Sequence, residues 1–521
     1  MASTLAAAAA AFQKQADELG AWLAAPGDAA PIKWESGLQS AFASLIERMC
    51  DADSGSDGGV DAAKAALTAF ADATMPAQDP AAFLEWRMGE HGPALGADTS
   101  KDLGQLVQDA VWSLPLLRVV CAIGVHPGVQ AALAQVGAGI GIAAALKDQA
   151  DDPLLCIAAS EALGVLGKDS DPNKNIAAGS GATALMVELL TRHADAPLVC
   201  ETVCRALASL VDDDYDNTEA MTGARAAEAL VATLTKHTAS APVCAAATRA
   251  IASYMLYNSE ERGLVVGAGG VAVVLDVFGR HVDNADVCTG VCAAIDSLGD
   301  NYEAGEFLDG TEAGQQAARV VIDVMKRHKG NAEVCGGAMQ VLHRLVKNRG
   351  MAQLTMLAEG GIDVVVSMLR AFPDVPEVTD PGIATLSSFT DDGEGRGALA
   401  KAGAVAPIVA AAAACPNAVG TCCAFGNAAC MLGYDAAMRA EFLELGAVDL
   451  MVAALKRHSD MQAVQYVNTA SLGQLVVLDS DKEEWRERLR AVDSVESLKA
   501  FLAECGDNAL AATIASKIED M

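Results

Sequence analysis

A repeat constrains this chain more than any other feature. The fragments LLTRHADAPLVC, TLTKHTASAPVC, VFGRHVDNADVC and VMKRHKGNAEVC set His193, His237, His281 and His328 each seven residues ahead of Cys200, Cys244, Cys288 and Cys335. The period is 44 residues, with one step of 47. Carrying the register outward pairs Gln149 with Cys156 upstream, then Phe372 with Thr379, Cys415 with Cys422 and His458 with Gln465 downstream, giving eight equivalent units. A module this short cannot bury its apolar faces alone, so stacked copies must share one continuous core and the end copies must differ to cap it.

Each unit reads as three helices. A short segment ends in a glycine-containing corner, as in AGSGA at 178–182, GAGGV at 267–271, AEGGI at 358–362 and KAGAV at 401–405. A helix of about ten residues follows with apolar side chains at helical spacing and stops at the marker His. An Asp, Ala or Pro turn then opens a longer antiparallel helix such as APLVCETVCRALASL, and a turn rich in Asp or Asn leads into the next unit.

The glycine corner, the second-helix pattern ending in Lys or Arg plus His, and third-helix endings such as RALASL at 205–210, AAIDSL at 293–298 and QVLHRL at 340–345 resemble the armadillo repeat family. The resemblance runs over about residues 105–521 and takes its specificity from recurrence in register. It implies an all-α fold: a right-handed α-solenoid superhelix of about eight armadillo-type repeats with helical caps. The expected organisation is an N-terminal helical cap region at 1–104, repeats over 105–481 and a degenerate capping repeat at 482–521. The stretch DADSGSDGGVD at 51–61 reads as an acidic loop. Trp22, Trp34, Trp86, Trp112 and Trp485 all fall near one end or the other, as bulky caps would require.

Composition narrows the partners. Thirty-six basic against sixty-eight acidic residues leave a net charge of −32, which repels phosphate backbones and anionic lipid headgroups. Nucleic acid is therefore not an expected partner. The start carries Asp17 and Glu18 and no basic n-region, which fits neither a secretory signal nor a transit peptide. Residues 402–434 lack any charge, but Pro407, Pro416, Asn417 and Asn427 interrupt them, so two buried helices are expected instead of a membrane span. Fourteen cysteines without a secretory signal point to a reducing compartment, and the expected location is cytoplasmic.

Three patterns imitate chemistry. Cys recurs at one repeat position in six units, and neighbouring copies on packed helices sit about 10 Å apart, too far to share a metal or a disulfide. The recurring His, behind Arg192, Lys236, Arg280, Arg327 or Arg457, reads as a helix C-terminal cap that satisfies terminal carbonyls. Glycine clusters such as VGAGIG at 136–141 sit between helices at the repeat period, whereas a dinucleotide fingerprint follows a strand. No catalytic residue, metal site or cofactor is expected.

Charge follows repeat position. Cations end the second helices, while Asp212, Asp213, Asp214, Asp300, Asp391 and Asp392 mark the turns after the third, so one edge should be mildly basic and the other strongly acidic. The resemblance implies a concave groove lined by third helices, held in well-known members by an Asn and Trp ladder. Here the Asn position is held by Ser209, Ser253, Ser297 and Ser388 in four units and by Arg344 in a fifth, and by Asn in none. Arg205, Arg249 and Gln340 hold the Trp position, so the nuclear-localisation-signal clamp is absent. These eight residues are the expected groove site, suited to a partner carboxylate, and the acidic edge suits a partner with basic patches. The leading expectation is a non-catalytic protein-interaction scaffold or adaptor without membrane insertion. A small-GTPase regulator and a component of a ciliary or cytoskeletal assembly are the alternatives, and a pigment lyase ranks last.

Overall fold

The computed structural model describes residues 137–256, 259–299, 312–347, 350–390 and 393–477, with isolated positions between 117 and 134. The cap regions 1–104 and 482–521, the loop at 51–61, all five tryptophans, Cys505, Asp300, Asp391 and Asp392 lie outside the described residues. These divide into two compact units, one running to Val273 and the other from Val274.

Every regular element among the described residues is helical. The first unit runs α1 (Ala138–Asp148), α2 (Pro153–Gly167), α3 (Asp171–Gly179), α4 (Ala182–Arg192), α5 (Pro197–Val211), α6 (Tyr215–Gly223), α7 (Ala226–Lys236), α8 (Ala241–Tyr254) and α9 (Ser259–Gly267). Helix α10 (Gly270–Arg280) follows, then α11 (Ala285–Gly299), α12 (Glu312–Arg327), α13 (Ala332–Val346), α14 (Met351–Ala358), α15 (Gly361–Ala371) and α16 (Pro376–Ser387). The last six are α17 (Gly393–Ala402), α18 (Val405–Ala414), α19 (Val419–Leu432), α20 (Ala436–Glu444), α21 (Ala447–Arg457) and α22 (Gln462–Leu472).

The order short, medium, long recurs as the spacing predicts: α3, α4 and α5 hold 9, 11 and 15 residues. The corner between first and second helices needs a left-handed residue, supplied by Gly181, Gly269, Gly360, Gly403 and Gly446, and by Arg225 where glycine is missing. In the repeat with the 47-residue step, α12 runs 16 residues where its counterparts run 10 or 11. The uncharged stretch at 402–434 forms α18 and α19, and no single described helix is long and apolar enough to cross a membrane.

Third helices form the spine of each unit. In the first, α2 packs on α5 and α5 on α8; in the second, α11, α13, α16, α19 and α22 pack in series. Small residues permit close approach, since a Cβ added at Gly164 of α2 would lie 2.8 Å from the Ala206 Cα of α5. Val203, Leu207, Ile251, Leu342 and Ile383 on these helices are fully buried.

The marker His does more than end its own helix. Its backbone N–H does bond the turn before it, as His193 N to Leu189 O at 2.8 Å. Its imidazole, contrary to the capping expectation, donates to the preceding unit: His193 Nε2 to Ala150 O (2.7 Å), His237 to Ala194 O (2.9 Å), His328 to Val282 O (2.8 Å) and His458 to Pro416 O (3.0 Å). Each acceptor is the carbonyl one residue past the previous marker position. Cys415, which replaces His in its unit, makes the same bond through its thiol to Pro373 O at 3.4 Å. The paired Cys closes the joint from the other side, as Cys200 Sγ to His193 O (3.5 Å) and Cys335 Sγ to His328 O (3.2 Å), and Gln465 takes that part with His458 O (3.1 Å). The His and Cys ladder is thus a hydrogen-bonded hinge pin repeated along each unit.

Candidate functional site

The outward register of the third helices carries the residues singled out from sequence. In the first unit α5 presents Glu201, Arg205 and Ser209, and α8 presents Arg249 and Ser253. Arg205 is not an open cation: it bonds Glu201 one turn earlier and sits 3.6 Å from Glu161 of α2. Burial pushes the Glu201 carboxyl up, the Arg205 guanidinium pulls it down, and Glu161 raises it again. Two carboxylates therefore share one guanidinium. Arg249, on α8 in the same register, is exposed and has no side-chain partner among the described residues. The Ser209 hydroxyl donates back to Arg205 O at 3.3 Å.

In the second unit Arg344 of α13 pairs with Asp296 of α11. Ser297 is buried, Gln340 is half-buried, and the Ser388 hydroxyl donates to Ala384 O at 3.2 Å. Asp380 of α16 lies over Gly420 of α19, where a Cβ would fall 2.0 Å from Oδ2, and burial pushes its carboxyl up. The His343 imidazole is held down by burial, with Lys347 and Arg344 adding to the effect. Of the eight groove candidates, the structure leaves Arg249 as the unpaired charge and commits Arg205 and Arg344 to internal carboxylates.

At the acidic edge, Asp212 and Asp213 are exposed, while Asp214 caps α6 by accepting from Asn217 N at 2.8 Å. The turn is pinned from below: buried Lys174 donates through Nζ to Asp212 O, and Asn217 Nδ2 donates to Lys174 O at 2.8 Å. Sequence reasoning missed this first-helix ladder. At the same repeat position Gln130 reaches Val165 O, Arg262 reaches Met255 O, Gln353 reaches Ser388 O, Arg396 reaches Thr390 O and Arg439 reaches Gly433 O. The residue type varies while the task, satisfying carbonyls at third-helix ends, stays constant. Only an aligned register without regard to residue type would have exposed it.

The edge expected to be mildly basic is compensated. Arg192 meets Asp151 (3.2 Å), Lys236 meets Asp195 (2.6 Å) and Arg327 meets Asp283 (2.7 Å), each cation reaching an Asp of the preceding unit. Lys236 holds the exposed Asp195 carboxyl below its ordinary range.

The cysteines lie in apolar surroundings. Burial pushes the thiols of Cys156, Cys200 and Cys335 up to about 11 and that of Cys288 to about 12, and it raises those of Cys204 and Cys292 as well. A protonated thiol is a poor nucleophile and a poor metal ligand. Among the described residues no three His, Cys, Asp or Glu side chains gather to hold a metal ion.

A stack of three-helix modules with hydrogen-bonded joints and a polar outward row defines a helical-repeat protein. A family model described as LRRK2 ARM repeat matches residues 217–356. Two solved structures share the fold. A crystal structure of an engineered protein is 17% identical with a TM-score of 0.56, over 88% of this chain and 98% of that one. A structure from work on a phosphorylation switch controlling the interaction between cadherin and β-catenin is 15% identical with a TM-score of 0.54, over 91% of this chain and 99% of that one. No curated protein matches by sequence. The chain has an armadillo-like helical-repeat fold.

Proposed function

We propose that the protein is a non-catalytic scaffold that binds a protein partner along the outward face of its third helices, with Arg249 as the anchor for a partner carboxylate. The observation that carries this reading is the contrast at one register position. Glu161, Arg205 and Arg249 stand in line on α2, α5 and α8; the first two are paired, and the third is an exposed guanidinium left over. A planar guanidinium can meet a carboxylate through two parallel hydrogen bonds, so it anchors as well as attracts. The cadherin and β-catenin interaction named for the similar structure supports a protein ligand for this fold.

A second reading rests on the pinned turn at Asp212 and Asp213, whose exposed carboxylates suit a partner with basic patches. Comparative pull-downs with the full chain, Arg249→Glu and an Asp212→Lys, Asp213→Lys double variant separate the two. Loss of the same partner with Arg249→Glu alone supports the helical face. Loss with the double variant alone moves the site to the edge, and retention by both overturns the proposal.

A further inference from the structure

The second unit carries a third-helix carboxylate with nothing to neutralise it. Among the described residues, every other buried or half-buried carboxylate on a third helix has a guanidinium: Glu161 and Glu201 share Arg205, and Asp296 meets Arg344. Asp380 of α16 is half-buried and makes no hydrogen bond or ion pair among the described residues. Burial raises its carboxyl and no cation pulls it back. A charge taken from water without a partner costs stability, so Asp380 is not explained by the packing of the helices.

The surroundings form a seat around that charge. A Cβ at Gly420 of α19 would collide with Asp380 Oδ2, so only glycine there lets the carboxylate lie against the neighbouring helix. Glu377, three residues earlier and on the same side of α16, is exposed. Pro381 inside the helix has no N–H to give the Glu377 carbonyl one turn back. Beyond these acceptors the surface is neutral. Helices α19 and α22, VGTCCAFGNAACML and QAVQYVNTASL, contain no charged residue. On α13 the residue in register with Asp380 is Gly336; Arg344 stands eight residues further on, about 12 Å along the helix, and is paired with Asp296.

An unopposed negative charge between neutral walls draws counter-charge from solution. We propose that Asp380, backed by Glu377, seats a basic side chain, Lys or Arg, of a protein partner on the outward face of the second unit. Its polarity is opposite to that of Arg249 in the first unit, so one partner satisfies both by offering an acidic group and a basic group. The uncharged run at 402–434 takes on a task in this reading: α19 is the wall that leaves the field of Asp380 unopposed. The choice of partner rests on the third-helix face being the binding surface; the negative seat itself does not.

Two measurements on the full chain test the proposal. Cys423 of α19 feels the Asp380 charge, and Cys430, also half-exposed, lies two turns further along the same helix. Thiol labelling with trimethylammonium-ethyl methanethiosulfonate and with its anionic sulfonatoethyl counterpart, resolved by peptide mass spectrometry, reads the seat without a partner. The cationic-to-anionic rate ratio at Cys423 should exceed that at Cys430 several-fold, and Asp380→Asn should remove the difference. Asp380→Asn keeps the side-chain volume and should leave the melting temperature unchanged or higher. Equal ratios at the two thiols in the unaltered chain, which needs no variant to fold, overturn the seat. A random peptide display library selected on the full chain then reads the occupant: peptides should share a Lys or Arg position that Asp380→Asn abolishes and Asp380→Lys converts to Asp or Glu. Absence of a basic position, or its persistence in both variants, overturns the proposal. Peptides with an acidic position lost on Arg249→Glu but no basic one leave the Arg249 reading standing alone. A basic position lost on Asp380→Asn, with no dependence on Arg249, does the reverse.

Discussion

The joints between repeats and the outward face of the third helices are built under opposite rules. At the joints one geometry recurs, and the residues that serve it are interchangeable in kind: Cys415 stands in for His, and Gln465 stands in for Cys, each keeping the same carbonyl partner. On the outward face the register is fixed and the chemistry is not: Arg205, Arg249, Ala293, Gln340, Ala384 and Asn427 hold one position on α5, α8, α11, α13, α16 and α19. Repetition of a bond marks a structural task, because every unit must satisfy the same buried carbonyls. Variation at a fixed exposed position is free of that demand and can be shaped by a ligand.

That contrast can be broken by pH, by packing and by hydrogen bonding, in descending order of expected effect. The thiols of Cys156, Cys200 and Cys335 titrate near 11 in the fold and that of Cys288 near 12, against about 8.5 in an unfolded chain. Between those values the unfolded chain has released protons that the folded one retains. Their contribution is therefore complete below about pH 8.5 and is lost as pH rises toward 11. Thermal unfolding followed from pH 8 to 10.5 should show a progressive fall in Tm, and a flat profile would contradict the buried ladder.

Gly164→Val places side-chain atoms against the Ala206 backbone, so it should lower stability by about 3 kcal/mol in a denaturant titration. Arg249→Ala, on the face, should change stability by less than about 0.5 kcal/mol. His237→Ala leaves the Ala194 carbonyl without its donor and should cost about 2 kcal/mol. Cys415→His, by contrast, should be neutral or stabilising, since a longer donor is aimed at the Pro373 carbonyl already in use. The exposed pair is similarly minor: Lys236→Ala should lower stability only slightly, and the difference should vanish at high salt.

Much of the fold was legible because its elements are local. Proline at the start of α2, α5, α8 and α16 and glycine at the corners mark boundaries without reference to distant residues. Arg225 in the left-handed corner was not legible as such, since its cost is tolerated only where neighbouring units fix the turn. The candidate site was legible as positions but not as charges. Arg205 and Arg344 read as groove cations from spacing alone; their partners, Glu161 and Asp296, lie one repeat away and are chosen by how helices stack. The first-helix ladder escaped for a related reason, as Gln, Lys and Arg perform one task at one register and look unrelated in a string.

The sequence by itself determined that helices of three lengths recur at a 44-residue step, because helix starts, stops and apolar periodicity depend on neighbours within a few residues along the chain. Tertiary structure alone decided which carbonyl the marker imidazoles meet and which cations are neutralised. Those outcomes depend on side chains some 40 residues apart being brought within about 3 Å, and the geometry of stacking, not local propensity, sets that distance.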